Sequence, residues 1–272
     1  MQQIRANNLT FEVEDQGPKT APPVVLIMGL AAQMTFWPDA MIQSLLSDGL
    51  RVIRFDNRDI GLSGKLEGRR APHPFLQIAA QRFGFSGRAP YTLHDMVDDT
   101  VGILDGLQIE RAHLVGVSMG GMIAQLMAGT APDRVASLTS IMSGTLNPRL
   151  PRPSPKLARS LFLSAPRDTS REALIERSVK MYSLIRSPDA GDDLEELRAK
   201  MAHAVDRSHY PQGVRRQLAA IIATGDLRPF LRQIEAPALI IHGAQDPLVP
   251  VEAGRDSART IRNAKLEILQ GM

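Results

Sequence analysis

Residues 116–120 read Gly-Val-Ser-Met-Gly, a serine framed by glycines. Before it, Ala112 to Val115 has the look of a short buried strand. After it, from Met122 onward, apolar residues recur at helical spacing. A serine at such a strand-to-helix junction must take a strained turn. Gly116 and Gly120 remove the side chains that would collide across it. The hydroxyl then stands above the sheet, at a helix end whose free N–H groups can meet a developing oxyanion. The same five residues also occur in ordinary turns, so the rest of the chain has to supply the partners.

A serine hydroxyl attacks a carbonyl only when a base takes its proton, and the base needs a carboxylate to fix its tautomer. Asp246 fits the carboxylate. It lies four residues past the strand ending at His242, in His-Gly-Ala-Gln-Asp-Pro-Leu-Val-Pro. The competing reading of Asp246 is an Asx turn before Pro247. Two backbone donors suit the oxyanion: the N–H of Met119, and that of Leu30 in the loop Met28-Gly29-Leu30-Ala31.

The base is the difficult assignment. Histidines stand at 73, 94, 113, 203, 209 and 242. His242, in a strand-end turn, reads as a packing residue. His113 begins its strand, at the wrong end. His94 opens a helix, and His73 lies in a proline-flanked loop. His203 and His209 belong to a helical insertion. None follows a late strand, as a serine–acid–base chain order requires. Residues 265–269 form the strand that should lead to the base. The catalytic histidine is therefore expected just beyond Met272, with the core as it stands truncated before it and before a last helix that would cover that sheet edge.

The elements that position these residues alternate. An N-terminal hairpin turns near Asn7-Asn8. Strands follow at 24–28, 51–55, 112–115, 135–142, 238–242 and 265–269. Helices are expected at 36–46, 94–107, 122–130 and 251–260, and one or two helical turns at 75–83. Thr92 is expected to cap the helix that follows it. Strands alternating with helices imply a mostly parallel sheet covered on both faces, with ligands at the strands' C-terminal ends. Asp56 to Ser63 is rich in Asp and Arg and reads as a loop tied by a partly buried ion pair. At Gly144 the alternation breaks. Prolines at 148, 151, 153 and 155 forbid regular structure there. Helices are then expected at 155–164, 170–186, 191–205 and 211–223. Residues 148–232 carry sixteen Lys/Arg against ten Asp/Glu, the pattern of a solvated, mildly basic face. The division is thus 1–144 for the first part of the core, 145–232 for a helical lid, and 233–272 for the rest of the core. Leu161, Phe162, Met181, Tyr182 and Leu184 are apolar residues that could line a pocket beneath the lid.

Composition narrows the class. The chain has 272 residues, 43% hydrophobic and 22% charged, with a net charge of +3. No Lys/Arg run alternates with aromatics, so no nucleic-acid partner is expected. Cysteine is absent, which excludes disulfides and thiolate chemistry. No apolar run approaches the ~20 residues that span a bilayer. The N-terminus, Met1-Gln2-Gln3-Ile4-Arg5, is no signal peptide. A cytoplasmic protein acting on a small-molecule substrate is expected, with no metal, no cofactor and no membrane partner, and with a homo-oligomer allowed.

Taken together, Met28-Gly29-Leu30, Asp56 to Ser63, Gly116 to Gly121 and His242 to Pro250 resemble, in order, the stretches that mark the α/β-hydrolase family. That resemblance implies an α/β fold with a helical cap over residues 145–232. It implies Ser118 as nucleophile, Asp246 as acid, and Leu30 and Met119 as oxyanion donors. It also makes Gln270-Gly271-Met272 similar to the start of a loop that soon reads Gly-His. Members commonly have His-Gly where this chain has Met28-Gly29, a departure that leaves the backbone donor intact. Asp59 stands where many have glycine. Within the family the chain most resembles carboxylic-ester hydrolases of the aclacinomycin methylesterase kind. Cofactor-free haloperoxidases or perhydrolases and carbon–carbon bond hydrolases share Ser-Met-Gly-Gly and are the rival activities. A non-catalytic ligand-binding protein on the same fold is the rival class.

Overall fold

The computed structural model describes residues 1–74, 76–77, 89–162, 168–187 and 193–272, the side chains of 161 and 162 excepted. Most of the turns expected at 75–83 fall outside these residues. Among the described residues eight strands form one sheet: β1 Gln2–Ala6, β2 Leu9–Gln16, β3 Pro23–Ile27, β4 Arg51–Phe55, β5 Ala112–Val117, β6 Val135–Ile141, β7 Ala238–Gly243 and β8 Lys265–Leu269. Their spatial order is β1-β2-β4-β3-β5-β6-β7-β8. β1–β2 and β2–β4 pair antiparallel, and every other pair is parallel. The first hairpin closes on Asn7 and Asn8, with φ of 45° and 62°. This is the two-residue turn whose twist suits a hairpin, and asparagine tolerates it.

β3 is covered on both faces, as its unbroken apolar run from Val24 to Ile27 requires. On β3, Val25 and Ile27 enter one core with Leu114 and the buried side of the helices before and after β5. Val24 and Leu26 face the other way, with Trp37, Ile42 and Val52. The helices packed on the sheet are α1 Asp39–Ser47, α2 Leu93–Gly106 and α3 Met119–Thr130, with a last one, Val251–Thr260, packed on β7 and β8. Helix α2 begins as expected: the Thr92 N–H donates to Asp95 Oδ2 at 2.8 Å. Phe36, expected within the first helix, instead lies in a 3-10 turn, Met34–Phe36. Pro38 then leads α1, which starts at Asp39.

Between β6 and β7 the elements of the described residues are helices: α4 Pro155–Phe162, α5 Arg171–Ser183, α6 Leu194–Arg207, α7 Pro211–Thr224 and the short α8 Arg228–Leu231, which the sequence pattern did not separate. The helix Val251–Thr260 is therefore α9. This inserted cap has a small core of its own. Ile175, Leu197 and Met201 gather Tyr182, Val179 and, from the sheet side, Phe36. Tyr182 thus packs inside the cap, and Leu184 is exposed. The side chains of Leu161 and Phe162 lie outside the described residues.

Buried ions fasten the cap to the loop after β4. Arg207 pairs with Asp56 at 2.7 Å. Arg216 grips Asp59 with two nitrogens, at 2.7 and 2.8 Å, and both side chains are about 1% exposed or less. A third pair, Arg58–Asp99, ties the loop to α2 at 2.5 Å. Asp59 has φ of 70°, left-handed backbone that suits glycine and that aspartate tolerates better than most residues. Two of the basic residues read as a solvated face, Arg207 and Arg216, are in fact interior.

Removing one partner of such a pair strands the other charge. Arg216→Met keeps most of the stem but leaves Asp59 unpaired, and should cost about 3–5 kcal/mol at neutral pH. Burial raises the pKa of Asp59, but hydrogen bonds from Arg216 and the Leu66 N–H outweigh it and hold the carboxyl below its ordinary value. The pair's contribution is therefore full above the unfolded value of about 4, and is lost as pH falls toward the folded value. In Arg216→Met an unpaired buried carboxyl gains from protonation instead. Urea unfolding at pH 7 and pH 4 should show the gap between variant and parent narrowing in acid.

Candidate active site

Ser118 is the residue between β5 and α3, at φ 54° and ψ −119°. This is left-handed backbone that side-chain-bearing residues avoid, and such strain persists only where surroundings over-determine it. Here three bonds do so. The Ser118 N–H donates to the Ile141 carbonyl at 2.9 Å. The Ser118 carbonyl accepts from the Met122 N–H at 3.1 Å and from Ser143 Oγ at 2.7 Å. The flanking glycines are steric necessities. A Cβ on Gly116 would collide with the Gly120 carbonyl, and one on Gly120 with the carbonyls of Ile27 and Met28. Gly120→Ala should therefore push β3 and α3 apart, at a cost of about 1–3 kcal/mol. Thermal unfolding would register this as a drop of roughly 2–4 °C per kcal/mol.

Strand registry brings the candidate residues to one end of the sheet. β3, β5, β6 and β7 run parallel. Ser118 follows β5 and bonds to the end of β6. Met142, after β6, donates its N–H to the Ile241 carbonyl of β7 at 2.9 Å. Asp246 follows β7, and Gly29 follows β3. A Cβ on Gly29 would stand 3.2 Å from Ser118 Cβ and 3.7 Å from its Oγ, so the loop backbone passes directly against the serine. The amides of Leu30 and Met119 donate to no acceptor among the described residues. For Met119 this follows from its place as first residue of α3.

Asp246 is half-buried and divides its oxygens. Oδ1 accepts from the N–H groups of Leu248 and Val249, at 2.8 and 2.9 Å. This is the turn of the competing reading of Asp246. Oδ2 stays outside that turn, 3.7 Å from His242 Nε2. His242 is not free to act as a base toward Ser118. Its Nε2 faces the Val249 carbonyl at 2.7 Å and so must carry the proton. Its Nδ1 is buried against Gly254 of α9. His113 Nδ1 bonds Ser137 Oγ at 2.8 Å, and His94 stacks edge-on against Phe230 at 5.1 Å between centroids. Beside the acid, the Met272 carbonyl accepts from the Gln245 N–H at 2.5 Å.

Several supporting roles carried no sequence signal. Asn57 Nδ2 donates to the Met28 carbonyl at 2.8 Å. Gln217 Oε1 accepts from the Ala31 N–H at 3.1 Å. Gln33 donates to the carbonyls of Ala204 and Ser208, at 2.7 and 3.1 Å, at the end of α6. A separate cleft of about 640 Å³, between Arg111, Pro132, Gln233 and Pro237, opens at the opposite end of the strands and contains none of the candidate residues. Among the described residues no group of three His, Cys, Asp or Glu could hold a metal ion, and no helix is long and apolar enough to cross a membrane.

Known proteins align over nearly the whole chain. Rhodomycin D methylesterase DnrP of Streptomyces peucetius is 27% identical, over 99% of this chain and 90% of that one. A 2-hydroxy-6-oxononadienedioate/2-hydroxy-6-oxononatrienedioate hydrolase of Cupriavidus pinatubonensis is 29% identical, over 91% and 78%. Among solved structures, a meta-cleavage product hydrolase from Pseudomonas fluorescens superposes with a TM-score of 0.76, covering 99% of this chain and 89% of that one at 20% identity. That level of identity speaks for the fold alone. The family signature itself matches residues 22–271, and with the sheet order and inserted cap it makes this chain a member of the α/β-hydrolase fold family.

Proposed function

We propose that the protein hydrolyses a small-molecule carboxylic ester through an acyl intermediate on Ser118. The observation that carries this reading is the strained Ser118 backbone, held beside Gly29 with the Leu30 and Met119 amides unclaimed. In the proposed reaction Ser118 Oγ attacks the ester carbonyl. The developing oxyanion is met by those two amides, the alcohol leaves, and water releases the acid. Asp246 orients the base through Oδ2, the oxygen its turn leaves over. The backbone at Met272 lies beside that acid, because the Met272 carbonyl accepts from the Gln245 N–H. Residues 145–232 act as the lid that governs access, and 1–144 with 233–272 as the catalytic core. Similarity to a protein named a methylesterase supports an ester substrate of the aclacinomycin methylesterase kind.

The test is covalent. A fluorophosphonate should add to Ser118, located by peptide mass spectrometry on folded full-length protein. A panel of methyl, alkyl and aryl esters then defines the substrate. An unlabelled Ser118 would sink the proposal. A second reading, carbon–carbon bond hydrolysis, is favoured by the similarity to the Cupriavidus pinatubonensis hydrolase. It uses the same serine, so labelling does not separate the two; cleavage of a β-diketone in preference to any ester does.

A further inference from the structure

Gln217 lies on α7 of the cap, fully buried, and both ends of its carboxamide are engaged. Oε1 accepts from the Ala31 N–H at 3.1 Å, and Nε2 donates to the Arg58 carbonyl at 2.9 Å. The orientation is unambiguous, because a flipped amide would set donor against donor and acceptor against acceptor. Ala31 has φ of 65°, a left-handed conformation that alanine does not choose unaided. On the other side of the same loop, Asn57 holds the Met28 carbonyl at 2.8 Å. The peptide before Gly29 and the peptide after Leu30 are thus each pinned by a buried carboxamide. Between them lies the Gly29–Leu30 peptide, whose N–H is the candidate oxyanion donor.

We propose that Gln217 is a positioning residue of the oxyanion hole: helix α7 of the cap sets the aim of the Leu30 N–H. This rests on the serine-hydrolase reading above. Its consequence is that the hole is complete only while α7 is docked, a state that Arg216, the neighbouring residue, secures through Asp59. The cap then contributes to the chemical step as well as to substrate access. An interaction realised with the developing oxyanion lowers kcat when lost, whereas one that only shapes the pocket changes KM.

The experiment compares Gln217→Met and Gln217→Glu with the parent, by ester kinetics, Ser118 labelling and backbone amide exchange. Gln217→Met keeps the volume and loses both polar contacts. Its kcat per labelled serine should fall roughly 10–100-fold with KM little moved, a loss smaller than or equal to deleting a donor outright. The Ala31 amide should lose its exchange protection in the same variant. In Gln217→Glu a protonated carboxyl can still donate to the Arg58 carbonyl and accept from Ala31, whereas an ionised one can only accept. The ratio of its kcat to the parent's should therefore be near one in mild acid and fall as pH rises. A residue that merely packs would lower stability and the labelled fraction together, leaving kcat per labelled site and that ratio flat, which overturns the proposal. If Gln217→Met does not fold, the pH dependence of Gln217→Glu decides. A parent that neither labels nor turns over an ester overturns the serine-hydrolase reading and this one with it. A competent parent with an unaffected Gln217→Met overturns this one alone.

Discussion

Ser118→Ala should abolish ester turnover, with kcat falling by a factor on the order of 10⁶. The substitution is clean in structural terms. The bonds that hold this turn use the backbone N–H and carbonyl of residue 118, not its hydroxyl. Alanine keeps the Cβ, so the left-handed strain at φ 54° stays as it was. Folding stability and the affinity for a product carboxylic acid should therefore hardly move, while the fluorophosphonate adduct disappears. Some residual rate over the uncatalysed reaction is expected, because the Leu30 and Met119 amides are untouched. Ser118→Gly removes the same nucleophile and also relaxes the strain. It should be as inactive as the alanine variant, and it reports through its melting temperature what holding the serine there costs. Equal kcat in parent and Ser118→Ala would place the chemistry elsewhere.

What was legible in the sequence is what local pattern encodes. β3 shows as an apolar run, the Asn7-Asn8 hairpin as two residues that tolerate positive φ, and α2 as a Thr92 cap. The serine turn was legible because sterics leave almost no alternative to glycine at 116 and 120. The place of Asp246 just after β7 was legible from the strand pattern, though not the way its turn uses one oxygen and leaves the other over.

The cap's attachment was not legible. Gln217 and Ala31 are separated by 186 positions, Arg216 and Asp59 by 157. Along α6 and α7 an arginine reads as a solvated residue, since nothing nearby in sequence announces a buried carboxylate. The Asp56 to Ser63 loop did announce an ion pair. Its partners, Arg207, Arg216 and Asp99, come from α6, α7 and α2 rather than from the loop itself. Short elements were blurred for a related reason. Phe36 belongs to a 3-10 turn because Pro38 starts a new helix, and α8 is four residues long, too short for any periodicity to show.

The acid gives the second large effect. Asp246→Asn should reduce kcat by about 10⁴-fold while leaving the loop folded. The asparagine Oδ1 can still accept from the Leu248 and Val249 N–H groups, so the turn survives. The amide at the Oδ2 position becomes a donor. A histidine approaching there would have to present its unprotonated nitrogen, the wrong tautomer for accepting the serine proton at its other side. The companion variant is His242→Gln. Its Nε2 can still donate to the Val249 carbonyl, as the histidine does at 2.7 Å. The expected result is some loss of stability from the buried contact with Gly254, with kcat largely retained. The two variants separate an orienting acid from a turn-forming one. If Asp246→Asn is as active as the parent, Asp246 serves only its turn. If instead His242→Gln loses activity to the same degree as Ser118→Ala, His242 must move to act as the base, which would require it to abandon Val249. Kinetics of both variants on one ester, with melting temperatures alongside, distinguish these outcomes.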